Sequence, residues 1–285
     1  MQYRGGVFTR GRLAVVGAAL LVAGCGSAPA PPSLAVGAAS DPESVLLANV
    51  YAAALRSYGS PAHVEVGPDP IAGLDTGGVE VAPGLTGQLL ARFDPGSPAR
   101  AAEQVYRTMI SALPEGIGAG DYAQSAQDEP ALAVLDATAQ KWGTHDVTGV
   151  IGHCVGVRVG KVAGAQAPTA IGTCRLPAAI EYPDAATLVG ALRSGRVDAA
   201  WTSTARPGTP DGVVVLSDRT AVIRAENVVP LYRRNELDER QVLALNEIAG
   251  ELDTGSLADM LSQIGNGADP GAVADAWLAA HPLGH

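Results

Sequence analysis

From Leu34 onward the chain alternates short apolar runs with longer stretches in which apolar residues recur every three or four positions. Leu34-Ala35-Val36-Gly37 is a strand on this pattern and Ala38-Ala39-Ser40-Asp41-Pro42 a loop. Pro42 and Glu43 then open a helix whose buried stripe is Val45, Leu46, Ala48, Val50, Tyr51, Leu55 and Tyr58, and Gly59 ends it. His63–Val66 is the next strand, Asp69–Thr76 a short helix, and Gly77-Gly78 turns into a strand over Val79–Ala82. The same alternation predicts helices over Gln104–Leu113 and Leu188–Ser194. Strands are expected at Ala131–Leu135, Val197–Trp201, Gly212–Leu216 and Ala221–Arg224, and helices again across Glu236–Leu252, Ser256–Ile264 and Pro270–Ala280. Strand and helix in turn predict an α/β fold with helices covering a largely parallel sheet.

The residues before Leu34 follow another pattern. Arg4, Arg10 and Arg12 precede an apolar run from Leu13 to Ala23, the layout of a signal peptide and too short for a spanning anchor. Val22-Ala23-Gly24-Cys25 resembles the lipobox of bacterial lipoproteins. That resemblance implies a leader over 1–24, lipidation of Cys25, and a body anchored at the extracytoplasmic face of the membrane. The Pro-rich stretch to Ser33 makes 25–33 a tether. Removing 1–24 and its three arginines leaves 16 basic against 29 acidic residues. A surface of that sign excludes nucleic acid as a natural partner and leaves the lipid anchor to hold the protein on the membrane.

Cys154 and Cys174 remain, and in an oxidising compartment an even pair is most simply a disulfide. His153 adjoins Cys154, but no CxxC or HxxxH spacing accompanies it, so no metal site is expected. GxSxG, HExxH, Walker and dinucleotide glycine patterns are absent, and His145 and His153 have no evident nucleophile beside them. The chain is therefore read as a binding protein without cofactor, not as an enzyme. The flanking segments each carry too little sheet to stand alone. They are expected to complete one another as one lobe, with a second lobe between Ala131 and Ala200 inserted in the middle and the ligand in the cleft between.

Gly78-Val79-Glu80-Val81-Ala82-Pro83-Gly84-Leu85-Thr86-Gly87 resembles the segment G-x-(I/V)-D-(V/L)-x-P-E-Y-T-G of the substrate-binding proteins of glycine betaine, choline and osmoprotectant ABC importers. Gln127–Val134, Leu192–Ala200, Asn227-Val228-Val229-Pro230-Leu231 and Pro270–Leu278 resemble further landmarks of that family in the same order. The resemblance implies a two-lobe, periplasmic-binding-protein-like fold of type II, one lobe formed by 34–118 plus 204–285 and the other by 119–203, with the lobes joined by two crossing segments. It also implies a receptor that closes on a small solute and presents it to an ABC permease. A ligandless envelope adaptor on the same scaffold is the alternative.

Candidate ligand residues follow from position in that implied cleft. Ser40 and Asp41 stand at a helix N-terminus, where they hold an anion or merely cap the helix. Thr86 is a cleft hydroxyl or a second cap. Gln127 and Asp128 precede the first crossing and either meet an ammonium or hydroxyl group or form an ordinary turn. Trp201, with Thr202 and Ser203, follows the return crossing that Leu192–Ala200 resembles, where the chain leaves a strand. Its ring offers a stacking face to the solute or packs in the core. Leu85 occupies the place of the family's tyrosine, so a full aromatic cage for a quaternary ammonium would have to come from Tyr122, Tyr182, Trp201 and Tyr232. A small polar or zwitterionic solute is expected instead of betaine or choline.

Overall fold

The structure, a computed structural model, describes residues 1–2, 5–6, 32–206 and 208–284. The leader, Cys25 and most of the tether lie outside the described residues. The elements in chain order are β1 (Leu34–Ala38), α1 (Pro42–Ser57), β2 (Ala62–Val66), α2 (Pro70–Thr76), β3 (Val81–Leu85), α3 (Thr86–Phe93), α4 (Ala102–Ala112) and β4 (Ile117–Ala119). Next come β5 (Pro130–Leu135), α5 (Asp136–Trp142), a 3-10 turn over Val147–His153, β6 (Val159–Val162), β7 (Ala170–Ile171), β8 (Cys174–Arg175), β9 (Ile180–Tyr182), α6 (Ala185–Arg193), β10 (Ala199–Ser203) and β11 (Val213–Val215). The chain closes with β12 (Val228–Arg233), α7 (Glu239–Glu251), α8 (Thr254–Gly265) and α9 (Pro270–Ala280).

Aspartates set many of the helix starts. Asp41, Asp69, Asp184, Asp238, Asp253 and Asp269 are N-caps of α1, α2, α6, α7, α8 and α9, each accepting from a backbone N–H two or three residues into its helix. Such a cap is worth about 1 kcal/mol, and a good part of the acidic excess is spent this way. Proline follows the cap in α1, α2 and α9, where its missing N–H costs nothing. Helix α1 is buried from Leu46 to Leu55 except at Asn49, because β1, β2, α7, α8 and α9 all pack around it. Its run of alanines lets those neighbours approach closely.

Two five-stranded sheets result, ordered β2-β1-β3-β12-β4 and β11-β5-β10-β6-β9. In the first, β12 runs antiparallel between β3 and β4. The chain passes between sheets twice, and the passages lie side by side. Gln127 and Asn227 form an antiparallel bridge, Asp128 N donates to Glu226 O at 2.9 Å, and Ala123 N donates to Val228 O at 2.8 Å. Cys154 and Cys174 are bonded, with Cα atoms 5.5 Å apart, tying the 3-10 turn to β8.

The pairing differs from expectation in two places. β11 pairs with β5 in the second sheet, so the chain does not return to the first sheet after Ser203 but only at Glu226–Asn227. Ala221–Arg224 is not a strand. The Asp218 carboxylate accepts from Val222 N and Ile223 N, and Arg224 donates to the carbonyls of Ser97 and Ala99. Side chains and local turns hold this backbone, leaving no ladder to a neighbouring strand.

Candidate functional site

Between the sheets lies a cavity of about 570 Å³, walled by Gly87, Gln88 and Ala91 of α3, by Arg100, by Lys161 of β6 with the loop 164–168, and by Glu226. A smaller one of about 310 Å³ lies at the carboxyl ends of β1 and β3, between Asp41, Glu43, Pro70 and Arg92, and shares Gln88 with it. The larger volume falls in the range of small-molecule sites.

Glu226 is only 6% exposed. Its Oε2 accepts from Gln88 N at 2.8 Å, so the crossing segment caps α3, whose own N-cap residue, Leu85, supplies no side-chain bond. Gly87 permits this approach: a Cβ there would stand 2.6 Å from Ala225 O and 2.7 Å from the Glu226 carboxyl. Burial pushes Glu226 up to about 8 against the pull of the Gln88 and Gly87 amides and of Arg224, with Glu129 adding to the rise. Glu129 itself is pushed up to about 7 by burial and by Asp218. In the adjoining cavity Glu43 is raised to about 9 by burial first and then by Asp128, with which it shares a hydrogen bond. Glu43 therefore keeps its proton near neutrality.

The expected site residues divide into three groups. Asp41 caps α1 by accepting from Ser44 N at 2.9 Å and still borders the smaller cavity, while Ser40 is exposed beside it. Thr86, Gln127 and Asp128 gather at the crossing, where they serve the joint. The Thr86 hydroxyl accepts from Asn227 N, Gln127 N donates to Thr254 Oγ1, and Asp128 Oδ1 accepts from Ala205 N. Trp201, Thr202 and Ser203 lie on β10 and border a separate cavity of about 620 Å³ between β10, α6 and β11, not the inter-sheet one. Trp201 is 2% exposed among Leu132, Val150, Ile171 and Cys174, so it is a core residue of the second sheet.

Tyr122 stacks on Tyr106 at 4.4 Å, and Tyr182 packs with Leu188 and Leu192. Among the described residues no aromatic ring lines the inter-sheet cavity or the smaller one beside it. The sequence reading missed Glu226, Arg100, Lys161 and Glu43. Glu226 adjoins the matched stretch beginning at Asn227, which was the one available signal. Among the described residues no group of three or more His, Cys, Asp or Glu is placed to hold a metal ion.

The family model for the substrate-binding domain of ABC-type glycine betaine transport systems matches residues 32–280. The chain belongs to that family. Its fold is similar to solved members of the class. A glycine betaine/carnitine/choline ABC transporter structure aligns with a TM-score of 0.69 at 15% identity, covering 87% of this chain and 98% of that one. Apo YehZ from Escherichia coli aligns at 0.66 and 21%, covering 88% and 99%. An ABC-transporter choline-binding protein in complex with choline aligns at 0.57 and 16%, covering 88% and 89%. Comparison with curated protein sequences finds no match. The two-sheet α/β architecture is thus that of a type II solute-binding protein, and this substrate-binding domain is a transport component in an extracytoplasmic family. No described helix is long and apolar enough to cross a membrane.

Proposed function

We propose that this substrate-binding domain is the lipid-anchored receptor of an ABC importer, and that it closes its two sheets over one small polar or zwitterionic solute. The observation that carries the reading is the inter-sheet cavity, with α3 on one wall, β6 and the loop 164–168 on the other, and the paired crossings at its base. Arg100 and Lys161 bring positive charge to that space, and Glu226 a carboxyl that becomes the negative partner when a cation displaces its proton, as a zwitterion requires. Two adjacent extended crossings form a hinge, and a solute touching both walls stabilises the closed arrangement over the open one. Cys25 supplies the lipid anchor, and the membrane permease receives the solute. Family membership and the choline held by the similar choline-binding protein support the transport role. The absence of rings in the cleft supports a solute other than choline or glycine betaine.

Calorimetric titration of the purified chain with zwitterions, amino acids, quaternary ammonium compounds and sugars tests this. Saturable one-to-one binding by at least one of them is expected. Silence across the panel would overturn the receptor role and leave an envelope adaptor on the same scaffold.

A further inference from the structure

Family membership directs attention to quaternary ammonium solutes, but the chemistry of this cleft differs from what they need. A trimethylammonium group has no N–H to donate, and its desolvated charge is best met by ring faces. Among the described residues, neither the inter-sheet cavity nor the smaller one beside it offers one. What the inter-sheet cavity does offer is Glu226, only 6% exposed, whose carboxyl is met by the backbone amides of Gln88 and Gly87 but, among the described residues, by no cationic side chain in an ion pair. A buried carboxylate is stabilised by donors aimed at its lone pairs, and an ammonium bearing N–H groups brings both the donors and the charge.

Three cationic side chains line the same cavity. Arg224 is committed to the carbonyls of Ser97 and Ala99, and Lys161 to Glu181 at 3.2 Å and Ala165 O. Arg100 is exposed, lines the same cavity, and makes no ion pair among the described residues. A free guanidinium is suited to hold a carboxylate through two parallel bonds.

Resting on the receptor reading, we infer that the solute is a zwitterion with a free, N–H-bearing amino or imino group, of the amino-acid class, held by Glu226 at the nitrogen and Arg100 at the carboxylate. The raised titration of Glu226 accords with this, because a buried acid waiting for a cation holds a proton until the cation arrives.

Matched pairs that differ only in N-methylation test it. Calorimetry on the purified chain would compare glycine with glycine betaine, proline with proline betaine, and 4-aminobutyrate with its trimethylammonio analogue. Hydrogen bonds to a charged group discriminate by roughly 10- to 100-fold, so in the pair whose length fits, the free amine should bind tighter by that factor. Glu226→Gln, which keeps an acceptor for Gln88 N, should collapse the gap to within about threefold. Equal or tighter binding by a trimethylated member of the wild-type chain would overturn the inference while leaving the receptor reading intact. Silence in every pair, with a sugar or other uncharged solute binding, would also overturn it alone. Silence from every solute would overturn both.

Discussion

Glu226→Gln is also the substitution whose effect on stability follows most directly from the structure. The carboxyl titrates at about 8 in the fold, against 4.5 when unperturbed. Its folded pKa is raised, so the folded state holds the proton more tightly than the unfolded chain. The stabilisation this gives is complete below pH 4.5 and is lost as the pH rises through about 8. At about 1.4 kcal/mol per pH unit, the loss by pH 7 is on the order of 3 kcal/mol. The amide cannot ionise and escapes that loss, while its carbonyl still accepts from Gln88 N. Glu43 and Glu129, also raised, are present in both proteins and largely cancel in the difference.

Urea unfolding at pH 5, 6, 7 and 8 is the assay. The variant should match the wild type to within about 1 kcal/mol at pH 5 and exceed it by on the order of 3 kcal/mol at pH 7 to 8. Parallel stability curves, or a variant weaker at pH 8, would refute the claim that this buried acid is strained by ionisation. A bound ammonium should narrow the gap at pH 8 by restoring the partner that the ionised carboxylate lacks.

Three further outcomes are expected. Thiol labelling of the chain should reveal Cys154 and Cys174 only after reduction, and reduction should cost about 3 kcal/mol for a loop of this length. Trp201→Ala should destabilise the chain by about 3–5 kcal/mol, as other core truncations of tryptophan do, yet change solute affinity of the folded fraction by less than about threefold, measured by calorimetry. Cys25→Ser should move the protein from the membrane to the soluble fraction, and its full retention in the membrane would show that another contact holds it.

The first lobe was legible because its signals are local. The β1-α1-β2-α2-β3 succession, the aspartate and proline at helix starts, and the Gly77 turn each depend on neighbours in sequence, and they appear in the order the pattern gave, with β3 shifted from Val79–Ala82 to Val81–Leu85. Trp201 shows where such signals stop. β10 is buried on both sides, so alternation along it does not say which face meets the solute, and Trp201 turned to the core. The return crossing was misplaced because β11 pairs with β5, some 80 residues earlier, a choice invisible to periodicity. Glu226 was missed for a related reason. A lone acid reads as exposed, and its burial depends on Gly87 and Gln88, the latter 138 positions away in the chain.

The central claim is that the two sheets close on a solute held between them. Spin labels on cysteines introduced at Gln104 of α4 and Thr187 of α6, both exposed and neither bordering the inter-sheet cavity, would report the separation directly. With the tightest-binding amino acid of the calorimetric panel at saturation, the distance distribution is predicted to narrow and shift to a shorter mean. The same distribution with and without that ligand would contradict the account.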